Sequence, residues 1–480
     1  MHQGLVHLAM EPARNTEMNN VITTINPATG QTLKSYDGWT AAQVNEAVDL
    51  AHAAAAAWGR QSLDVRVAAV RRLAEQLRAQ KDRFAQLVTD EMGKPLPEAA
   101  GEMEKSAVTA LYYADNASRL LGDEAVAIDG VDAWVSYEPI GLVLAVMPWN
   151  FPVWQVMRFA IPAITSGNGI VLKHSPNVTG TALALQGLLA DAGIPANVLT
   201  TLVVAEPEVP ATIERLISDD RIAAVTLTGS NRAGAAVGSA AGRASKKSVL
   251  ELGGSDAFVV LEDADVATAA AMAVKARFTN GGQSCVCAKR FIVARSVADE
   301  FTRLFIEGTK ALVVGDPSKA GTQMGPLARG DLRDALQRQI DQSVAAGAKV
   351  LTGGRAKDGN GYFFEPTVVA DTGPGMAVFD EETFGPVAAI AVAQDDADAA
   401  RLANATPFGL SLSVWTASNE RALNLAKQVT SGAVFINAMT ASDARLPFGG
   451  TKKSGYGREL AAAGIREFCN TRTYWAAVKR

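Results

Sequence analysis

Cysteine and histidine are scarce, with three and four in 480 residues. So few thiols exclude a disulfide framework and fit a reducing compartment, here read as the cytoplasm. Cys285 and Cys287 stand too close to chelate together, so no zinc spacing exists and no metal is expected. An excess of positive charge is also lacking. Lys plus Arg is 45 against 50 Asp plus Glu, a net charge of −5, whereas a nucleic-acid binder is normally basic, so no nucleic-acid partner is expected. Long apolar runs are missing as well. Lys, Asn, Gly or Pro breaks each one short of the roughly 18 residues a membrane span needs, so no membrane partner is expected. The opening MHQGLVHLAMEPARNTEMNN has no basic segment followed by a long apolar core, and does not read as a signal peptide. Residues 1–19 read as a frayed extension, with Met18 a candidate true start.

What is present is a globular balance, 48% hydrophobic and 20% charged. At roughly 100–200 residues per domain, the length allows about two to four domains. Residues 41–59 and 62–92 read as two helices, and 97–117 as a third, from apolar residues at helical spacing. AVAIDGVDAWVSY (125–137) alternates around Asp129-Gly130, a hairpin signal. From 141 onward short apolar runs alternate with helical stretches: GLVLAVM, GIVLKH, VLTTLVV and AAVTLTG. A second series begins near 249 with SVLELGG and AFVVL, then KRFIVA, PVAAIAVA, LSLSVWT and AVFIN. The alternation predicts βαβ units and two α/β lobes with parallel sheets. The hairpin and the tail NTRTYWAAVKR have little core of their own and are expected to pack on a neighbour or a second subunit.

Four segments carry candidate chemistry. Cys285 follows a Gly-rich turn in FTNGGQSCVCAKRF, where backbone N–H groups can point at a thiol; the alternative is a small buried hydrophobe. Glu251, in VLELGG, is a carboxylate in an apolar strand-turn, either paired, solvent-reaching, or a general base. Asn150, in MPWNFPVWQVMR, is a turn residue or an oxyanion-stabilising amide. TLTGSNRAG offers a strand, a Gly-Ser turn and a helix start, a weak phosphate or nicotinamide cradle. Lys173 closes GIVLKH as a ribose or phosphate contact or a solvated strand end.

MPWNFP, TLTGS, LELGG, GGQSC and EETFGP stand together, in this order, between INPATG (25–30) and LPFGGTKKSGYGREL (446–460). The chain thereby resembles the aldehyde dehydrogenase superfamily over nearly its whole length. The resemblance implies two Rossmann-like α/β domains plus a small β oligomerisation element. It implies Cys285 as nucleophile, Glu251 as the base that activates water, and Asn150 with the Cys285 N–H as oxyanion hole. Trp149, Lys173, Gly229, Ser230, Glu382 and Phe384 are then cofactor contacts. The implied division is a cofactor domain (20–120, 139–248), a catalytic domain (249–430), a return to the interface (431–467), and an oligomerisation element (121–138, 468–480) in a homodimer or homotetramer.

NFPVWQVMRFAIPA, LKHSPN, SCVCAKRF and SDARLPFGGTKKSGYGREL look most like the bacterial succinate-semialdehyde dehydrogenase branch, which acts in 4-aminobutyrate degradation. The implied reaction is oxidation of succinate semialdehyde to succinate through a cysteine thiohemiacetal and thioester; the alternative is a broad-range, non-acylating aldehyde dehydrogenase. A distal carboxylate calls for a guanidinium, and Arg158 matches the branch's carboxylate-binding Arg, with Arg445 a second candidate and Trp154 a pocket wall. Phe159 and Thr279 depart from the branch, standing where relatives carry further basic residues. Where NAD-specific relatives carry a ribose-binding Glu, this chain has Pro176. With Lys173, His174 and Ser175 beside it, NADP is expected to be favoured and NAD usable. Cys287, two residues from Cys285, is a candidate resolving thiol for a redox off-switch.

Overall fold

In the computed structural model, residues 20–477 are described. The extension read at 1–19 and the end of the tail, 478–480, lie outside the described residues.

β1 (Val21–Ile25) and β2 (Thr32–Asp37) form a small antiparallel ribbon that the sequence pattern did not announce. β3 (Glu124–Ile128) and β4 (Val131–Pro139) are the expected hairpin. Gly130 turns it at φ 76°, a conformation that suits glycine. The first parallel sheet contains β5 (Leu142–Met147), β6 (Gly169–His174), β7 (Leu199–Thr201), β8 (Ile222–Thr228) and β9 (Lys247–Glu251). The second contains β10 (Asp256–Val260), β11 (Ala288–Ala294), β12 (Lys349–Thr352), β13 (Thr367–Ala370), β14 (Val387–Ala393), β15 (Ser411–Trp415) and β16 (Ala433–Ile436). β17 (Gly455–Tyr456) returns to the first sheet, and β18 (Cys469–Ala476) pairs antiparallel with β4.

The first sheet runs β17-β9-β8-β5-β6-β7 and the second β12-β13-β14-β11-β10-β15-β16. In each, the earliest strand of the series sits inside the sheet; in the first the chain winds outward in both directions, and in the second it passes from β11 to the edge strand β12 and returns inward through β13 to β14. The loops after β5 and β8 therefore part at one switch point, the place where open α/β sheets bind ligands. Those loops carry Trp149-Asn150 and Gly229-Ser230. Apolar faces on both sides of each sheet supply the cores. In the second lobe Phe258, Phe291, Phe301, Phe305 and Trp415 stack as one aromatic group, with Phe291 and Phe305 centroids 4.7 Å apart.

Four expectations change. The helix read over 62–92 is two, Leu63–Ala79 and Lys81–Met92, broken where Gln80 leaves helical geometry (φ −101°, ψ 13°) and its side chain turns to Gln76 and Asp191. The lobe boundary set at 249 moves past Glu251, because β9 pairs with β8 of the first sheet. The second lobe extends beyond 430, because β16 pairs with β15. Apolar runs of equal length look alike in sequence whichever sheet they join. The predicted third helix is longer, Leu96–Leu121.

Candidate active site

Asn150 is placed by a buried network. Its carbonyl accepts from Lys94 Nζ (2.9 Å) and from Asn280 Nδ2 (2.8 Å), and its own Nδ2 donates to the Gln283 carbonyl (3.0 Å). Lys94 is ion-paired with Glu102, and neither side chain meets solvent appreciably. The other Glu102 oxygen accepts from the N–H groups of Val153 (3.1 Å) and Trp154 (2.9 Å). These are orphan donors at the start of the helix Trp154–Thr165, where a carboxylate is favoured. Sequence reasoning missed both Lys94 and Glu102.

The turn before Cys285 needs left-handed backbone. Asn280, Gly281 and Gly282 have φ of 54°, 60° and 72°. A Cβ on Gly282 would lie 2.3 Å from the Gly385 carbonyl oxygen. Glu98 accepts the Asn280 N–H (2.8 Å). Lys289 is enclosed behind the turn and donates to the carbonyls of Ser284 and Cys285, both at 3.0 Å. It also lies 3.2 Å from Glu382 Oε1, which accepts from the Gly254 N–H (3.0 Å). Arg277, equally buried, donates to the carbonyls of Ala288, Thr383 and Gly385. Lys289 and Arg277 thus tie the cysteine turn to the EETFGP loop; neither was singled out from sequence.

These loops enclose a cavity of about 260 Å³ whose lining includes Trp149, Asn150, Gly229, Ser230, Cys285, Glu382 and Phe384. Trp149 and Phe384 meet edge-on, 5.7 Å between centroids. Ser230 caps the helix Asn231–Arg243, accepting from the Ala233 N–H, so the cavity faces a helix N-terminus. A Cβ on Gly253 would meet Glu382 Oε2 at 2.3 Å. A second cavity, about 430 Å³, is lined by Ser175, Pro176, Asn177 and Glu206 among others. Arg329 lines both cavities and lies over the Trp149 ring, 5.7 Å from its centroid.

Lys173 closes β6, 6% exposed, and burial pushes its ammonium down to about 8, with Glu206 pulling it back up. His174 does not join it. Its ring is buried, Nε2 lies 2.9 Å from the Pro152 carbonyl and Nδ1 accepts from the Ser175 N–H. Burial holds it down to about 4, hence neutral, and both ring nitrogens are used within the fold. His174 is removed from the set expected to meet a phosphate.

Glu251 ends β9 outside the cavity lining, 3% exposed, with no hydrogen-bond partner for Oε1 among the described residues. Burial, then the nearby Glu459, push its carboxyl well above the usual range, against Arg158 and Arg458. A Cβ on Gly449 would lie 2.7 Å from Glu251 Oε1, so the FGG segment leaves room for the carboxyl. Burial also pushes the Cys285 thiol up to about 12, with Arg158 and Lys289 acting the other way. Burial thus favours the neutral form of both groups.

The structure also places three further residues named from the sequence. Arg158 is 2% exposed, ion-paired with Glu459, stacked over Phe448 (4.6 Å), and absent from the cavity lining. Its charge balances an internal carboxylate, since a buried ion needs a partner, while its Nη2 has no hydrogen-bond partner among the described residues. Arg445 is 76% exposed and paired with Asp443 at 2.7 Å on the surface. Cys287 is buried, its thiol 3.6 Å from the Thr279 carbonyl, and burial raises its pKa. The Cys287 N–H donates to Ser284 O, closing a turn around Cys285. Cys285 instead packs against Trp154, Leu410, Phe448 and Leu460. Cys287 is thus a buried, hydrogen-bonded packing residue rather than a low-pKa resolving thiol. Trp154 belongs to the apolar cluster against which Cys285 packs.

A thiol raised this far forms little thiolate near neutrality. Alkylation of Cys285 by iodoacetamide in the cofactor-free protein is expected to keep accelerating from pH 7 beyond pH 9. Peptide mass mapping of the labelled site reads this, and a rate already level at pH 7 would contradict it.

Comparison with known proteins agrees with this geometry. The model of the aldehyde dehydrogenase family matches residues 14–474. A succinate semialdehyde dehydrogenase of Escherichia coli strain K12, named for NAD(P)+, is 46% identical over 94% of this chain and 97% of its own. A probable succinate-semialdehyde dehydrogenase of Synechocystis, named for NADP(+), is also 46% identical, over 95% of this chain and 100% of its own. Among solved structures, Gox0499 superposes with a TM-score of 0.92 at 38% identity, covering 95% of this chain and 99% of its own. The succinic semialdehyde dehydrogenase of Streptococcus pyogenes, solved with NADP+, superposes with a TM-score of 0.91 at 35% identity, covering 94% and 99%. The chain belongs to the aldehyde dehydrogenase family.

Proposed function

We propose that the protein oxidises succinate semialdehyde to succinate, with NADP as the preferred hydride acceptor and NAD as a usable one. The observation that carries this is a thiol, an amide and a helix N-terminus opening into one cavity at the switch point of the first sheet. The names of the Escherichia coli and Synechocystis relatives point to the substrate and cofactor. The residues fit a dinucleotide. Aromatic Trp149 and Phe384, polar Ser230 and Glu382, and unobstructed Gly229 line one cavity, while Ser175 and Pro176 line the next. Pro176 brings no carboxylate against a 2′-phosphate, and Lys173 and Arg329 offset Glu206, whose carboxylate also faces that space.

In this reading the Cys285 thiol first gives its proton to water, and the thiolate Sγ then bonds to the aldehyde carbon, whose C=O π electrons move onto oxygen. The side-chain amide of Asn150, whose main-chain carbonyl is held by Lys94 and Asn280, donates to the oxygen that gains charge, work typically worth about 3–4 kcal/mol per donor. Bound nicotinamide supplies the hydride acceptor. Glu251 then takes a proton from the water that attacks the thioester, and its raised pKa makes it a stronger acceptor once ionised. The first lobe carries the cofactor and the second the nucleophile. The reading places the enzyme in the cytoplasm, at the step that consumes the semialdehyde of 4-aminobutyrate degradation.

A second reading, a broad-range aldehyde dehydrogenase, draws support from Arg158 and Arg445 both being paired internally. Steady-state rates on succinate semialdehyde and on butanal, with each cofactor, separate the two. The expected result is a kcat/KM at least about tenfold higher for succinate semialdehyde, a difference of about 1.4 kcal/mol, and higher with NADP than with NAD. Equal values on both aldehydes would favour the broad-range reading, and a tenfold preference for NAD would overturn the cofactor assignment.

We also propose that the sheet β18-β4-β3 forms a subunit interface of a homodimer or homotetramer. Trp134 stacks on Tyr474 at 4.6 Å, and Trp475 is 62% exposed, on strands with little core beneath them; aromatic residues are enriched at interfaces. Sedimentation is expected to show a stable oligomer at micromolar concentration, and a monomer there would contradict it.

A further inference from the structure

Resting on the proposed substrate, we infer that Lys105 and Ser442 together read its distal carboxylate. Lys105 projects from the helix Leu96–Leu121. Its Nζ donates to Ser442 Oγ at 2.7 Å and lies 4.5 Å from the centroid of the Trp154 ring. Trp154 is the residue that walls Cys285 together with Phe448. The ammonium therefore stands one aromatic ring away from the nucleophile's surroundings.

Two other cations nearby already have carboxylate partners. Arg158 is paired with Glu459, and Arg445 with Asp443. Among the described residues Lys105 makes no ion pair of its own, although it is largely enclosed. Burial and the neighbouring Arg158 hold it down to about 8, with Asp443 and Glu102 acting weakly the other way. A desolvated ammonium without a carboxylate is unfavourable, and an anion brought beside it relieves that cost. An ammonium has three N–H donors, and Ser442 accepts one. The Ser442 hydroxyl, accepting from Lys105, keeps its own proton to donate. Two donors from different elements thus converge, the pattern a carboxylate with two oxygens requires.

The test compares Lys105→Met, Lys105→Arg and Ser442→Ala with the wild type on succinate semialdehyde and on butanal, NADP saturating. Lys105→Met is expected to lose about 10–100-fold in kcat/KM on succinate semialdehyde, mostly through KM, the scale of a charge-assisted hydrogen bond. On butanal it is expected to change less than about threefold. Lys105→Arg is expected to recover part of the loss, and Ser442→Ala to show a smaller loss in the same direction. A preference for succinate semialdehyde that survives in Lys105→Met overturns the role of Lys105 alone. Equal losses on both aldehydes overturn it in favour of a structural role, and melting curves of each variant report the fold directly. A wild type that treats both aldehydes alike overturns the substrate reading, and Lys105 with it.

Discussion

The active-site geometry depends on one buried cation, Lys94. Its ammonium is held between the Glu102 carboxylate and the Asn150 carbonyl, out of contact with water. Breaking such a pair leaves an uncompensated buried charge, which typically costs about 3–5 kcal/mol. That cost keeps the loop after β5 in one conformation. The same Asn150 carbonyl accepts from Asn280 of the cysteine turn, while Glu98 takes the Asn280 N–H. The two lobes are therefore stitched together by polar groups that have no alternative partner in solvent. The stitch lies beside the thiol and the amide whose separation matters for chemistry. Further polar ties, Lys289 and Arg277, fix the Glu382 loop to the same turn. Such a fully enclosed network gives a single arrangement where apolar packing alone would tolerate several.

Enclosure also sets the electrostatics. A carboxyl and a thiol deprived of water hold their protons, and the positive charges near them only partly offset this. Arg158 is the nearest counter-charge to both, yet Glu459 neutralises it. The backbone around that pair is strained. Leu460 and Ala461 have φ of 65° and 52°, uncommon for residues with a Cβ. The strain follows directly after Glu459, where the GREL segment turns the carboxylate inward to meet Arg158. Burial thus favours the neutral forms of the Glu251 carboxyl and the Cys285 thiol.

Much of this was legible in the sequence. Alternating apolar runs and helical stretches gave the two α/β lobes, and Asp129-Gly130 gave the hairpin that β18 completes. MPWN, TGS, GGQSC and EETFGP come together because each follows a strand end or lies at a turn feeding the same cleft. Partner identity was less legible. Arg158 carried a clear signal of function by position, but its partner Glu459 lies some three hundred residues away, and no local pattern joins them. The same holds for His174, whose ring turns inward to Pro152 O while its neighbours Ser175 and Pro176 line a cavity. Lys94 in a connection, Glu102 and Arg277 in helices and Lys289 in a strand were invisible because a charged residue reads as solvated until the fold buries it. β9 and β10 are nearly contiguous in sequence yet belong to different sheets, which only pairing reveals.

The central claim is that Cys285 carries the acyl group and Glu251 releases it. The direct measurement is intact-protein and peptide mass spectrometry of Glu251→Gln, quenched after mixing with succinate semialdehyde and NADP. The account predicts one added succinyl group per chain, located on the peptide containing Cys285 and removed by hydroxylamine, as a thioester is. An unmodified chain that has nevertheless reduced the cofactor, or an adduct on another residue, would contradict it.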